Sequence, residues 1–408
     1  MTFVDDTDLS TLENTEPVYT FLAERGFWGT KTVWPLRARR TSAFRLADER
    51  DEPDPDSGAT LEDPDYAAFI QRLQQAGFEI AMHGVAAGNS RRDEIKAGLA
   101  HFRAIVGKTP AMNAFHRTNL ENLYCGVHKL DAPLLRLVER LSDHSDYEGH
   151  REGTVSFWGD LARETFRYVR LPFHTIDEIN TLRVNPSMPF CDPRRPYVRR
   201  WFAGSDGADV IRFNRLLSET NVARLVRESG VCVVYTHFAK GFARRCAGVY
   251  TLDDDFRRTV ERLTSHSDGW FAPASDVLDR LAALKSLWLR HTGRDVIVHN
   301  TGTCSVHDVV LRVSAGTEIS LNGRTMNASS DTVVLPHLSP METLALTTNR
   351  AGRQTIETRG PEAARREHRH VEYRNYLGLV RGWYEDRRYY ARRGRAPLST
   401  TKRFAGLP

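Results

Sequence analysis

The run Val231-Cys232-Val233-Val234-Tyr235-Thr236-His237 constrains the fold most. A strand with one wet face alternates apolar and polar residues, whereas a strand that is apolar along its length needs cover on both sides. That arrangement belongs to parallel sheets flanked by helices. Residues 77–84, Gly77-Phe78-Glu79-Ile80-Ala81-Met82-His83-Gly84, repeat the theme: a helix end, a short apolar strand and a histidine presented where the strand stops. From residue 2 to about 284 such strands alternate with amphipathic helices, the pattern of parallel βα units.

Several helices carry their own punctuation. Pro17 suits a first turn, Val18, Phe21 and Leu22 share a face, and Gly26 stands where a helix ends on positive φ. Tyr66, Phe69, Ile70 and Leu73 form the stripe that leads into Gly77, and Ile95, Leu99, Phe102 and Val106 line a helix opened by Ser90 and closed by Gly107. Further strands are expected at 28–34, 111–115 and 270–274, and further helices at 131–141, 221–230, 252–264 and 275–284. Residues 49–65, rich in Asp, Glu and Pro, read as a solvated insertion. Residues 144–209 show poor periodicity and many Gly, Pro and aromatic residues, so long loops over one end of the domain are expected there.

Past Ser286 the period changes to two, at 295–299, 309–313, 332–335 and 342–347, which reads as a small antiparallel β-sandwich. The division expected is 1–285, 286–360 and a basic helical tail, 361–408. With 408 residues, 40% of them hydrophobic, the chain can build one large core and a smaller one. Its net charge of +5 is concentrated in the tail, whose twelve Lys/Arg against five Asp/Glu give +7 and leave the remainder at −2. A uniformly basic nucleic-acid binder is therefore excluded, and attraction to phosphate or a membrane surface would belong to the tail. There Tyr373, Tyr376, Leu377, Val380 and Trp383 make a helical stripe, read first as docking on its own protein and otherwise as a peripheral membrane or partner contact. Cys125, Cys191, Cys232, Cys246 and Cys304 form no CxxC pair and read as core thiols. No apolar run nears the roughly 20 residues of a membrane span, and no signal peptide is evident, so the cytoplasm is the expected compartment. The first strand is very short, and the true start could lie upstream.

Asp5-Asp6, His83 and His237 all follow strands, and in a parallel sheet strand C-terminal ends share one edge, so these groups can converge. Adjacent buried aspartates need a cation, which a divalent metal held by one Asp and a histidine would supply. The other Asp could take a proton from bound water, and His237 could protonate a departing amine. Taken singly, paired aspartates near a terminus more often cap helices, and a lone strand-end histidine is more often structural. There is no GxSxG elbow, Walker loop or GxGxxG after a strand.

Thr2-Phe3-Val4-Asp5-Asp6-Thr7 resembles the TFDDG motif of the NodB-type polysaccharide deacetylases, and residues 77–83 resemble their GHEIGNH stretch. Tyr235-Thr236-His237 is similar to their late leucine-x-histidine motif. The resemblance covers residues 2–284 and implies an irregular (β/α) barrel that removes N-acetyl groups from a sugar or glycan precursor. It implies Asp5 as general base, Asp6 and His83 as metal ligands and His237 as general acid. Zinc is the first choice of metal, with cobalt, nickel or manganese as alternatives. The second metal histidine of the family falls on Ala87 here. His116 is the first candidate to replace it, then His150, then His128, while Arg117 is expected to orient Asp5. Residues 180–197, rich in Arg and aromatics, have no counterpart in the typical family member and would suit an acidic or phosphorylated sugar. Two other readings remain: a non-catalytic glycan-binding or scaffold module that keeps a degenerate barrel, and a hydrolase of a non-sugar amide.

Overall fold

The computed structural model describes residues 1–40, 57–116, 119–142, 146–172, 178–246, 248–314, 316–326, 332–356 and Glu372. The stripe at 373–383, Arg117 and residues 49–56 of the acidic insertion lie outside the described residues. The chain divides into two units, Met1–Ser275 with Ala364–Pro408, and Asp276–Ala363.

The first unit is built on β1 (Thr2–Asp5), α1 (Leu12–Glu24), β2 (Thr30–Val33), α2 (Pro64–Gln75), β3 (Glu79–Met82), α3 (Arg92–Val106) and β4 (Met112–Asn113). It continues with α4 (Pro133–Ser142), α5 (Gly159–Thr165), β5 (Tyr168–Arg170), α6 (Thr181–Val184), β6 (Trp201–Phe202), β7 (Ser205–Gly207), α7 (Val210–Leu216), α8 (Glu219–Arg227) and β8 (Val233–Thr236). A hairpin of β9 (Ala243–Cys246) and β10 (Val249–Leu252) leads to α9 (Asp254–Thr264), and α10 (Ala274–Lys285) starts at the end of this unit and belongs mostly to the second. The eight strands pair in the order β6-β5-β4-β3-β2-β1-β8-β7, every pairing parallel. This is a helix-flanked parallel sheet of βα units, with β6 and β7 at its two edges. Phe3, Val4, Val33, Ala81, Met82, Val233 and Val234 are each at most 1% exposed, as strands covered on both faces require.

Local chemistry sets the helix limits. Thr11 and Asn14 bond reciprocally across the start of α1, so that helix begins at Leu12 and Pro17 lies inside it rather than in its first turn. Glu94 accepts from the Arg91 N–H at 2.8 Å, which starts α3 after Arg91 rather than Ser90, and Gly107 closes it at φ 72°. Ile95, Leu99, Phe102 and Val106 are its buried face, as their spacing predicts.

Three expectations are corrected. Residues 144–209 are not only loop, since they contain β5, β6 and β7. The strand expected at 270–274 does not form, because Trp270 is half exposed and Ala274 already begins α10. Cys191, Cys246 and Cys304 are exposed, and only Cys125 and Cys232 are buried thiols.

The second unit has antiparallel ladders: a long strand, Leu287–Asn300, pairs with Thr343–Ile356, which pairs with the hairpin of Ile319–Leu321 and Arg324–Met326. Val310–Arg312 pairs with Thr332–Val334. Val298, Val306, Val333, Leu338 and Leu346, each at most 1% exposed, sit in one shared core.

Candidate functional site

Parallel pairing brings the ends of β1, β3, β4, β5 and β8 to one edge of the sheet, and the loop after β1 lays Asp6 and Asp8 across it. Gly84 turns the chain at φ 71° directly after His83, a conformation that favours a residue without Cβ. Its N–H donates to Asn113 Oδ1 at 3.1 Å, which ties the end of β3 to β4.

Asp5 has no exposure. Its Oδ2 is 2.9 Å from Lys31 Nζ, and both side chains are fully buried. Tyr19 Oη donates to the same oxygen at 2.8 Å, and the Phe238 N–H donates to Oδ1 at 2.7 Å. Burial alone would pull the Lys31 ammonium down, but Asp5 outweighs it and holds the pKa above its ordinary value. Burial and the Asp5 charge together push the Tyr19 phenol well up. Every oxygen of the residue expected as general base is thus committed inside the protein.

Asp6 lies beside it, in a different pairing. Arg170, the last residue of β5, grips its carboxylate with two bonds, Nη1 to Oδ1 at 2.7 Å and Nη2 to Oδ2 at 2.6 Å. The guanidinium rests over the Tyr235 ring, 4.6 Å from its centre. Burial pushes the Asp6 pKa up, but Arg170, helped by His83, overrides it and sets it at about 2.

Asp8 is where the histidines meet. Its Oδ1 is 3.1 Å from His83 Nε2 and 4.0 Å from His116 Nε2, and its Oδ2 is 2.9 Å from His237 Nε2 and 3.3 Å from Lys240 Nζ. Burial opposes its charge, yet His237 and then His83 hold its pKa well below the usual carboxylate range. His83 Nε2 is also 3.8 Å from Asp6 Oδ2, and its buried Nδ1 has no hydrogen-bond partner. Burial lowers the pKa of this imidazole.

The other faces of the rings fix their protons. His237 Nδ1 lies 2.7 Å from the Ala208 carbonyl, which only accepts, so that nitrogen carries hydrogen. His237 Nε2 lies 2.9 Å from Asp8 Oδ2 and 3.4 Å from the Tyr235 hydroxyl oxygen. Asn119 Nδ2 donates to Ala86 O, Gly88 O and Glu121 Oε1, which leaves Asn119 Oδ1 to accept from His116 Nδ1 at 3.0 Å. Burial pushes the Glu121 carboxyl behind this chain up to about 7.

The structure thus brings Asp5, Asp6, His83, His116 and His237 to one place. His128 and His150 belong to another cluster, where their rings lie 4.5 Å apart and His150 Nδ1 accepts from the Tyr124 N–H. Burial, then the neighbouring His128, pushes the His150 pKa down to about 3. In the 180–197 stretch Arg195 is buried against Asp131 and Asp192, Arg194 pairs with the same two carboxylates and Arg183 pairs with Glu228. Each of these arginines has a carboxylate partner, and Arg183 and Arg194 keep part of their side chains in solvent. Sequence reasoning missed Asp8, Lys31, Arg170, Lys240 and Glu121. Asp8 could have been found, as the third aspartate in four residues.

The side chains bear on the metal expected here. Asp6 has both oxygens on Arg170, and among the described residues no group of three or more His, Cys, Asp or Glu is placed to hold a metal ion. Lys31, Arg170 and Lys240 each stand against one of the three aspartates, so the cation required by the adjacent acids comes from the chain itself. As the side chains stand, Asp6, His83 and His116 do not make a ligand set.

No family profile matches the chain, and no curated protein matches it. Solved structures similar to it include a candidate polysaccharide deacetylase from Mycobacterium smegmatis, 13% identical, with 70% of this chain and 91% of that one covered at a TM-score of 0.39. Puue allantoinase is 13% identical over 65% of this chain and 71% of its own, with a TM-score of 0.36. The catalytic domain of a peptidoglycan N-acetylglucosamine deacetylase from Eubacterium rectale is 12% identical over 67% of this chain and 86% of its own, at 0.30.

Proposed function

We propose that the chain is a hydrolase of a carbon–nitrogen amide bond, acting on an N-acetylated sugar or glycan precursor. The observation that carries this reading is the buried Asp8–His237 contact, 2.9 Å across, at the C-terminal edge of the sheet. The choice of an N-acetyl sugar rests on the resemblance of residues 2–7 and 77–83 to deacetylase motifs.

Water attacks the amide carbonyl carbon and passes a proton to Asp8, which takes the part expected of Asp5. His237, pinned through Nδ1 to Ala208, gives its Nε2 proton to the nitrogen as the C–N bond breaks, and acetate and amine leave. Proton transfer across the 2.9 Å between Asp8 and His237 then restores the starting state. Lys240, whose side chain keeps 22% exposure, supplies positive charge for the carbonyl oxygen as it becomes anionic. Asp6, immobilised by Arg170, holds the loop that carries Asp8. No step runs through a metal.

Acetate release from a panel of N-acetylated amino sugars tests the reading. Wild type should turn over at least one of them, and Asp8→Asn and His237→Gln should each lose about a hundredfold or more, the range of a general acid or base. Turnover by Asp8→Asn at the wild-type rate would remove Asp8 from the reaction. Tight glycan binding by wild type without acetate release would favour the non-catalytic module instead.

A further inference from the structure

We propose that Leu9 determines which acyl group the site takes: its side chain receives the aliphatic end of that group, so N-acyl chains longer than acetyl are favoured. Such selection rests on the amide-hydrolase reading, in which Asp8 takes the proton of the attacking water.

Asp8 and Leu9 are the two central residues of a turn that Ser10 closes by donating its N–H to the Thr7 carbonyl at 2.9 Å. Leu9 stands there at φ 59°, in the left-handed region where a turn favours Gly or Asn and a Cβ is crowded. It is also 39% exposed, whereas every other residue of 2–10 is buried. A large aliphatic side chain at this position is thus disfavoured twice, once by the backbone and once by water.

The turn cannot relax around it. Arg170 grips Asp6, Thr7 Oγ1 lies 3.3 Å from Tyr66 Oη, and Lys31 Nζ donates to Ser10 Oγ at 3.1 Å. The Leu9 carbonyl accepts from Asn14 Nδ2 at 2.9 Å, and the Ser10 carbonyl accepts from the Ala59 N–H at 2.7 Å. Gly58 packs so closely that a Cβ on it would come within 2.6 Å of the Ser10 carbonyl oxygen. Backbone strain that the surroundings hold in place beside a reacting group is a mark of function.

What Leu9 can touch follows from what Asp8 does. Water attacks the carbonyl carbon as Asp8 takes its proton, so the acyl chain begins one bond from the reacting centre, within reach of the next residue. Lys240, the cation against Asp8 that keeps 22% exposure, suits the carbonyl oxygen and not an alkyl group. Leu9 supplies the apolar contact, and its open position leaves room for a chain longer than a methyl.

Hydrolysis of glucosamine, galactosamine and mannosamine, each carrying an N-acetyl, N-propionyl or N-butyryl group, tests this. In wild type kcat/KM should rise about twofold or more for each added CH2 that packs on Leu9, chiefly through KM. Leu9→Gly should flatten that rise while the urea midpoint stays at or above that of wild type, since glycine suits φ 59°. Leu9→Met, which keeps an apolar chain, should retain it. The slope is read rather than the rate, because damage to the fold would slow every substrate alike. A wild-type series that is flat or falls with chain length would overturn the proposal, and so would an unchanged slope in Leu9→Gly. Release of no carboxylate from any of the substrates would remove the amide-hydrolase reading itself, and this contact with it.

Discussion

Asp5 and Asp8 are three residues apart, both buried and both ion-paired, yet they sit in opposite chemical settings. Asp5 faces groups that cannot easily change state: a fully buried lysine, a phenol pushed well above its ordinary pKa and a backbone N–H. Asp8 faces imidazoles, which gain and lose protons near neutrality, and a lysine with part of its side chain in water. The first setting stores stability and the second can move protons. Place in a motif therefore says less about role than the titration chemistry of the partners does.

Predictions that break or sharpen this contrast run from large to small. Lys31→Met strands the Asp5 charge in the interior and should cost about 3–5 kcal/mol in urea unfolding at pH 7. A cost below about 1 kcal/mol would mean that Asp5 is not held as a buried ion. On the Asp8 side, Glu121 is raised from an ordinary 4.5 to about 7. A raised pKa contributes stability that is complete below the unfolded value and is lost as pH rises through the folded one. Stability should therefore fall by about 3 kcal/mol between pH 4.5 and 8, and Glu121→Gln should flatten that slope. An unchanged slope in the variant would assign the loss to another group. Tyr19→Phe removes one of three donors from Asp5 and should cost about 1–2 kcal/mol without altering acetate release. A matching fall in turnover would return Asp5 to the reaction.

The half of the site that the sequence displays is the half carried by strands long enough to show a pattern. β1, β3 and β8 are four-residue strands buried on both faces, so their apolar runs announce them, and the acid or histidine that follows is legible as a strand-end group. β5 to β7 have only two or three residues, too few for any period, and they fall in a stretch dense in Gly and Pro. Arg170 was hidden for that reason, although Tyr168-Val169-Arg170-Leu171 alternates with bulky residues that pack against the sheet. The chain's own cations beside the adjacent acids, Lys31 and Arg170, were not legible in the sequence. Lys31 lies in a strand, where a lysine ordinarily reads as surface, and only the closed fold shows it pointing at Asp5. Asn119 and Glu121, which set the tautomer of His116, carry no periodic signal at all.

Urea unfolding of Asp5→Asn and Asp8→Asn, side by side at pH 7, is the most direct test, and it needs no substrate. Asp5→Asn leaves Lys31 buried without its counter-charge and turns an amide N–H toward a donor, so it should lose about 3 kcal/mol or more. Asp8→Asn leaves a lysine that can reach water, so it should lose less than Asp5→Asn does. The reverse order, with Asp8→Asn the more damaging and Asp5→Asn nearly neutral, would contradict the division between a structural and a working aspartate.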